Sequence, residues 1–327
     1  MIVTKTPLRV SFVGGGSDLP VFYRRYGGAV LSTSINKFVY ITVNPKFDQR
    51  IRISYSRTEE PASVAKIKHP LVREALKLVG IKGGIEIASI ADIPAKGSGL
   101  GSSSAYTVGL LQALYAYCSQ SASPERLARE ACTIEIEKCG EPIGRQDQYA
   151  AAFGGLNFMQ FHSDDSVRVD RLICRKATLE TLQSSILMFY TGITRSAASV
   201  LEHQRRAVAT QRSKQRTLQR MVELAHQLRA DLQNNHLDSF GEILHENWKL
   251  KQSLAPGISN QRLENWYERA RRAGATGGKL LGAGSGGFML FYAPVERHDA
   301  ISTALKDLRE VPMRFEPEGS KIIFVHD

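Results

Sequence analysis

Residues 94–105, PAKGSGLGSSSA, carry three glycines and four serines in twelve positions. A β-patterned run, 84–93, leads into them, and an apolar run with helical spacing, 106–117, leads out. A loop that opens a helix in this way leaves the first N–H groups without intrahelical partners and aims them at one spot. The helix dipole adds partial positive charge there. Glycines let a bulky anion approach the backbone, and serine hydroxyls bind phosphate or a metal. Two readings follow, a phosphate cradle and a plain Gly/Ser connector. Local composition leaves both open.

The totals narrow the class. A chain of 327 residues, 43% hydrophobic and 23% charged, fits a soluble globular protein of two domains or one large one. The net charge of +11 favours anionic partners such as nucleotides, sugar phosphates, nucleic acid or an acidic membrane surface. Cys118, Cys132, Cys139 and Cys174 form no CxxC pair and no metal spacing, so reduced thiols are expected. No secretory leader is evident, and no apolar run approaches the ~20 residues of a membrane span, so the cytoplasm is the expected compartment.

Along the chain, residues 2–13 read as a strand, with Pro7 marking an edge position or a bend. GGGSDL, 14–19, follows; Ser17 or Asp18 can cap a short helix through Phe22 and Tyr26. Asp18 thus has a structural reading, N-cap, and a functional one, acceptor for substrate hydroxyls. Strands are expected at 29–43 and 50–56, a helix at 69–79 and a strand at 84–93. Helices at 103–118 and 124–139 follow, with Ser123 as N-cap and Pro124 at the first helical position. GEPIGRQDQ, 140–148, precedes a short helix to Phe153. Strands are expected at 156–161, 166–173 and 184–190.

Residues 195–234 read as long helix, rich in arginine at Arg205, Arg206, Arg212, Arg216 and Arg220. A solvated face explains this run better than a nucleic-acid surface, because no aromatic residues interleave the charges. Helices at 236–254 and 260–273 lead to a glycine-dense segment, 274–292, read as strand, tight turn, strand with its tip at 282–287. A helix at 296–308 and closing strands MRFEP and KIIFV complete an antiparallel α+β second half.

The central loop lacks the GxxxxGK[ST] pattern and the GxGxxG register, and HRD and DFG are absent. Three glycine-rich segments in order do match one family. The chain resembles the GHMP kinases through 7–18 (PLRVSFVGGGSD), 94–104 (PAKGSGLGSSS) and 279–287 (KLLGAGSGG). The resemblance spans nearly the whole chain. It implies an α+β, two-domain GHMP kinase fold: a ribosomal protein S5 domain 2-like N-terminal domain over 1–180 and a ferredoxin-like C-terminal domain over 181–327. GGGSDLPVFYRRYGGAVLSTSINKFVYI looks like the branch of sugar-1-kinases acting on D-glycero-D-manno-heptose 7-phosphate.

The resemblance also implies roles. ATP would lie on Pro94, Lys96, Gly97, Ser98, Gly99, Leu100, Gly101, Ser102, Ser103 and Ser104, with Mg²⁺ on Ser103 and Glu135. Glu137 competes with Glu135, and the two point to different helix faces. Asp147 matches the catalytic aspartate, as base or orienter of the acceptor hydroxyl, and Arg9 the cation that supports it. Substrate contacts are expected from Gly15, Gly16, Ser17, Asp18, Gly144, Arg145, Arg195, Gly284 and Gly286. Glycines at 14–16 in place of bulkier residues make room for a larger sugar. Arg24, Arg25, Lys37, Arg145, Arg195 and Lys251 are the candidate cations for a substrate phosphate.

The expected activity is ATP-dependent phosphorylation of the anomeric hydroxyl of the heptose 7-phosphate. The runner-up is a kinase for an unphosphorylated sugar such as fucose or galactose. From another class, a non-catalytic ligand or nucleic-acid binder on this fold stands as the alternative. Small molecules rather than nucleic acid or membrane are the expected partners, with a homodimer left open.

Overall fold

The computed structural model describes residues 1–94, 97–193 and 198–326. Its first sheet grows from β1 (Ile2–Val13) and β2 (Gly28–Pro45), which pair antiparallel along nearly their whole length. β2 is rich in β-branched and aromatic residues and runs for 18 positions, long enough to serve two further partners. After them in the chain come β3 (Ile51–Ser54), β4 (Thr58–Glu59), β5 (Ile85–Ala91), β6 (Leu156–Phe161) and β7 (Val167–Arg171). β6 pairs with the start of β2, at Gly28–Thr33, and β5 with its end, at Val39–Pro45. β3 runs parallel to β5, and β7 extends the sheet beyond β6.

The second sheet holds β8 (Ile186–Tyr190), β9 (Gly277–Leu280), β10 (Phe288–Tyr292) and β11 (Arg309–Glu310), in the antiparallel order β11-β8-β10-β9. In chain order this is strand, helices, two strands, helix, strand, which is the ferredoxin-like pattern with a multi-helix first crossover.

The final strand, β12 (Lys321–Val325), does not join that sheet. It pairs with Ile2–Lys5 of β1, and MRFEP contributes only a bridge from Phe315 to Ile35. Both segments were expected to close the second sheet. β11 already occupies that edge, whereas the outer edge of β1 would otherwise leave its N–H and C=O groups bare. Pro7 lies just past the last β12 pairing, at a register shift against β2, so its missing N–H costs no ladder bond.

The helices are α1 (Pro20–Tyr26), α2 (Pro70–Val79), α3 (Ser102–Tyr117), α4 (Pro124–Cys132), α5 (Gln146–Phe153), α6 (Lys176–Ser184), α7 (Ala198–Thr210), α8 (Arg212–Gln233), α9 (Phe240–Gln252), α10 (Gln261–Arg272) and α11 (His298–Ala304). The expected helix at 195–234 is two helices, α7 and α8, broken at Gln211. The α4 helix continues as a π-helical turn, Thr133–Lys138. None of the described helices is long and apolar enough to cross a membrane.

Helix α3 packs on both β1 and β2, and α5, α8 and α9 also reach β1. β1 is therefore buried without alternation from Thr6 onward. Leu224, Phe240, Leu281 and Phe288 share one hydrophobic cluster with Val10, Phe12 and Leu31, so the two sheets sit on a common core. At the α3–β1 crossing, a Cβ on Gly109 would stand 2.5 Å from Thr6 Oγ1. Gly109→Leu is expected to destabilise by about 1–3 kcal/mol through overpacking. Thermal melting should show the midpoint lowered by a few degrees; an unchanged midpoint would refute this close approach.

Candidate active site

Three segments far apart in sequence meet at the start of α3. Gly97, Gly99 and Gly101 all take left-handed φ values, +70°, +74° and +75°, so the loop coils and turns successive N–H groups toward one side. Helix α3 begins at Ser102 with no acidic residue in its own first turn, so its N-terminal N–H groups face the loop without a carboxylate from the helix itself. Ser98 and Ser102 bond through their hydroxyls at 2.9 Å, and Leu100 N donates to Ser98 Oγ at 3.3 Å. Pro94 is exposed at the entrance, and Lys96 lies outside the described residues.

Behind the loop lies Arg9, 5% exposed on β1. Its Nε and Nη2 donate to Asp147 Oδ1 and Oδ2, each at 2.7 Å, and its Nη1 donates to Gly99 O at 2.7 Å. Its backbone N–H donates to Leu100 O. Asp147 is in the first turn of α5, where the dipole favours a carboxylate.

Ser103 is exposed, and its Oγ donates to Glu135 Oε1 at 2.7 Å. Ser104 Oγ and Gln148 Nε2 donate to Glu135 Oε2, at 2.7 and 2.6 Å. Glu135 lies in the π-helical turn and is fully buried, whereas Glu137 is exposed, which decides between them. A hydroxyl and a carboxylate are hard oxygen donors, and few of them suffice when phosphates supply the rest, so this pair fits Mg²⁺. Among the described residues there is no cluster of three or more His, Cys, Asp or Glu that could hold a metal by itself.

The pocket next to this pair is lined by Arg9, Ser11, Gly16, Asp18, Gly144, Gln146, Asp147, Lys251 and Lys279, with Gly282 and Ala283 from the late glycine segment. Asp18 is not the cap of α1, whose N-cap is Leu19. Its Oδ1 accepts from Gly16 N at 2.8 Å and its Oδ2 from Gln146 N, the first residue of α5, at 3.2 Å. Burial and the charge of Asp147 push its carboxyl above the usual carboxylate range. Gly144 gives Asp18 its space, since a Cβ there would stand 1.9 Å from Oδ2.

Several expected contacts fall elsewhere. Ser17 Oγ donates to Ala29 O at 3.0 Å and pins the turn to β2, away from the pocket. Arg145 donates to Asp165 O and Arg24 pairs with Asp165, so both are engaged outside the pocket wall. Gly284 and Gly286 pack on the backbones of Ile258 and Ile193. Gly282 instead meets the loop, its Cβ position lying 2.4 Å from Gly99 Cα. Gly15 lies against Ser11 and Gln146, just behind the lining. Arg195 is outside the described residues.

The sequence reading gave no role to Lys279, Gln146 or Gln204. Lys279 Nζ donates to Ser11 O and Phe12 O at 2.7 and 2.9 Å; a lysine inside the apolar run GGKLL was its signal. Lys251, 6% exposed, faces the pocket with no hydrogen-bond or ion-pair partner among the described residues. Burial pulls its ammonium pKa down, while the carboxylates of Asp18 and Asp147 oppose that.

The family model for the GHMP kinases N terminal domain matches residues 65–155, and that for the GHMP kinases C terminal matches 228–311. D-glycero-alpha-D-manno-heptose 7-phosphate kinase of Campylobacter jejuni is 30% identical, covering 98% of each chain. The bifunctional fucokinase/GDP-fucose pyrophosphorylase of Arabidopsis thaliana is 29% identical over 88% of this chain, which spans 29% of that protein. A crystal structure named as a D-glycero-D-manno-heptose 1-phosphate kinase from Bacteriodes thetaiotaomicron superposes with a TM-score of 0.80 at 26% identity, over 100% of both chains.

Burial lifts the Glu135 carboxyl to about 7, against three hydrogen bonds that pull it down. The folded state thus holds this proton more tightly than the unfolded chain. The contribution, about 3 kcal/mol, is fully present below the ordinary glutamate pKa and is lost as pH rises through about 7. With divalent cations chelated, the melting temperature should fall between pH 6 and pH 8, and Glu135→Gln should remove that part of the slope. A variant with the same slope would overturn the assignment.

Proposed function

The chain belongs to the GHMP kinase family and is a sugar kinase, and on that footing we propose that it transfers the γ-phosphoryl of ATP to the anomeric hydroxyl of D-glycero-D-manno-heptose 7-phosphate, giving the 1,7-bisphosphate. The observation that carries the reading is the bidentate Arg9–Asp147 pair, set between the phosphate-binding loop and a pocket that also holds Asp18. Such a product would feed nucleotide-activated heptose for surface glycans.

In this mechanism the loop N–H groups and the α3 N-terminus hold the triphosphate. Phosphoryl transfer is mostly positioning and charge stabilisation. Asp147 accepts a hydrogen bond from the anomeric hydroxyl and takes its proton as the new O–P bond forms and the bond from the γ-phosphorus to ADP breaks. Arg9 fixes the Asp147 carboxylate in one orientation by its two-pronged hydrogen bond. Lys251 sets its ammonium against the transferring phosphoryl, and Asp18 accepts from ring hydroxyls. Ser103 and Glu135 would hold Mg²⁺, which supplies neutralisation of the phosphate charge.

Support for the sugar comes from the two heptose kinases among the similar proteins. Their names place the existing phosphate at different carbons. A sugar already phosphorylated at C1 has no free anomeric hydroxyl, so the 7-phosphate is the acceptor for a 1-kinase. One observation favours the second reading, an unphosphorylated sugar such as fucose: Arg24 and Arg145 are both committed to Asp165, leaving few cations for a sugar phosphate.

A panel of sugars with ATP and Mg²⁺, read by ADP release and mass spectrometry, tests the proposal. Turnover of free hexoses but not of heptose 7-phosphate would sink it. Asp147→Asn is expected to lower kcat by about 10²–10⁴-fold with binding of ATP retained. Lys251→Met should lower kcat by at least about tenfold, since a charge aimed at the developing phosphoryl is lost. Full activity in both variants would place the chemistry elsewhere.

A further inference from the structure

Gln204, on α7, is 0% exposed, and neither Nε2 nor Oε1 has a hydrogen-bond partner among the described residues. A fully buried amide with both ends unsatisfied is rare in a folded protein and asks for an explanation. Gln204 and Leu201, one turn apart on α7, both line the pocket that holds Arg9, Asp18 and Asp147.

The amide lies directly over the first glycine turn. A Cβ on Gly16 would stand 2.5 Å from Gln204 Nε2. The space that glycine leaves at position 16 is therefore not open room for a larger sugar, as its sequence suggested. It is filled by an amide delivered from the other half of the chain. Two further pocket groups share the same condition, since Ser11 Oγ and Gln146 Oε1 are also buried without partners among the described residues. These are donors and acceptors of the kind that hydroxyl-rich ligands satisfy.

We infer that Gln204 is a specificity-determining residue that reads a ring hydroxyl of the acceptor sugar, donating from Nε2 and accepting at Oε1. This rests on the pocket being the sugar site. The triad of Gln204, Gln146 and Ser11 then does from three elements what a longer side chain on the glycine turn would do from one. A site built to pair with a hydroxyl discriminates sharply against an analogue that lacks it, because its own polar groups stay orphaned.

Gln204→Met keeps the volume and removes both polar atoms. The KM for the sugar is expected to rise about 10–100-fold, with the KM for ATP within about twofold. The melting temperature should stay level or rise, because an orphaned amide has been removed. A series of single-deoxy sugars should contain one analogue that the unmodified enzyme uses as poorly as Gln204→Met uses the full sugar. Gln204→Met should lose nothing further with that analogue.

An unchanged sugar KM, or additive losses for every deoxy analogue, would overturn the inference. Should the Met variant fold poorly, Gln204→Asn retains both polar atoms and retracts them by one methylene. An intermediate rise in sugar KM then supports the inference, and no rise overturns it. The measurements use whichever sugar the panel shows to be turned over. Turnover of a sugar other than heptose 7-phosphate thus sinks the substrate assignment while Gln204 is still judged, and turnover of none sinks both.

Discussion

Arg9 is the junction on which the site depends. Its guanidinium closes on both oxygens of Asp147 and on the carbonyl of Gly99, while its backbone N–H holds Leu100. One buried side chain thereby fixes a strand of the first sheet, the start of α5 and the glycine loop. A buried ion pair of this kind is weak evidence for added stability, because desolvation offsets much of the Coulomb gain. Its value is geometric: a bidentate fork admits one orientation of the carboxylate. Removing Asp147 leaves the Arg9 charge buried with only the Gly99 carbonyl as partner, at a cost of about 3–5 kcal/mol.

The loop held by Arg9 needs glycine for a second reason. Gly99 and Gly282 meet backbone to backbone, and Gly287 approaches the carbonyls of Gly97 and Ser98. Any side chain at these contacts would push the late glycine segment off the loop. The third motif thus packs closely, and its remaining glycines, Gly284 and Gly286, lie against Ile258 and Ile193. Lys279, on the strand just before that segment, ties it to Ser11 and Phe12 of β1. The three glycine-rich segments are one assembly, with Arg9 and Lys279 as its two polar bolts.

Much of this was legible because it is local or because it repeats a family pattern. The loop, α3 and the positions of Glu135 and Asp147 beside it followed from glycine density, helical period and motif resemblance. What stayed hidden was decided at long range. KIIFV has the pattern of any strand, and only the bare edge of β1 assigns it to the first sheet. The α6 helix escaped notice because its sequence, KATLETLQS, buries little beyond Thr178 and Leu182. Ser17 and Arg145 have the residue types of ligand contacts but are consumed by Ala29 and Asp165. Gln204 sits in the arginine-rich run HQRRAVATQR, where charge draws attention to its neighbours.

That run also shows why net charge says little about where anions bind. Arg205 and Arg206 both close on Glu202, and Arg220 on Glu246 and Glu223. These exposed pairs are screened and contribute little apiece. The pocket inverts the situation. Arg9, Lys251 and Lys279 line it together with Asp18 and Asp147, and burial pulls the ammonium groups of Lys251 and Lys279 down and the Asp18 carboxyl up. A charge such as that of Arg9, held in a buried site, acts more strongly on a neighbour than a charge of the +11 spread over the surface does in water. Where an anion binds is thus set by these few groups and not by the net charge, and in the proposed reaction the Arg9–Asp147 fork keeps one carboxylate aimed at the acceptor hydroxyl.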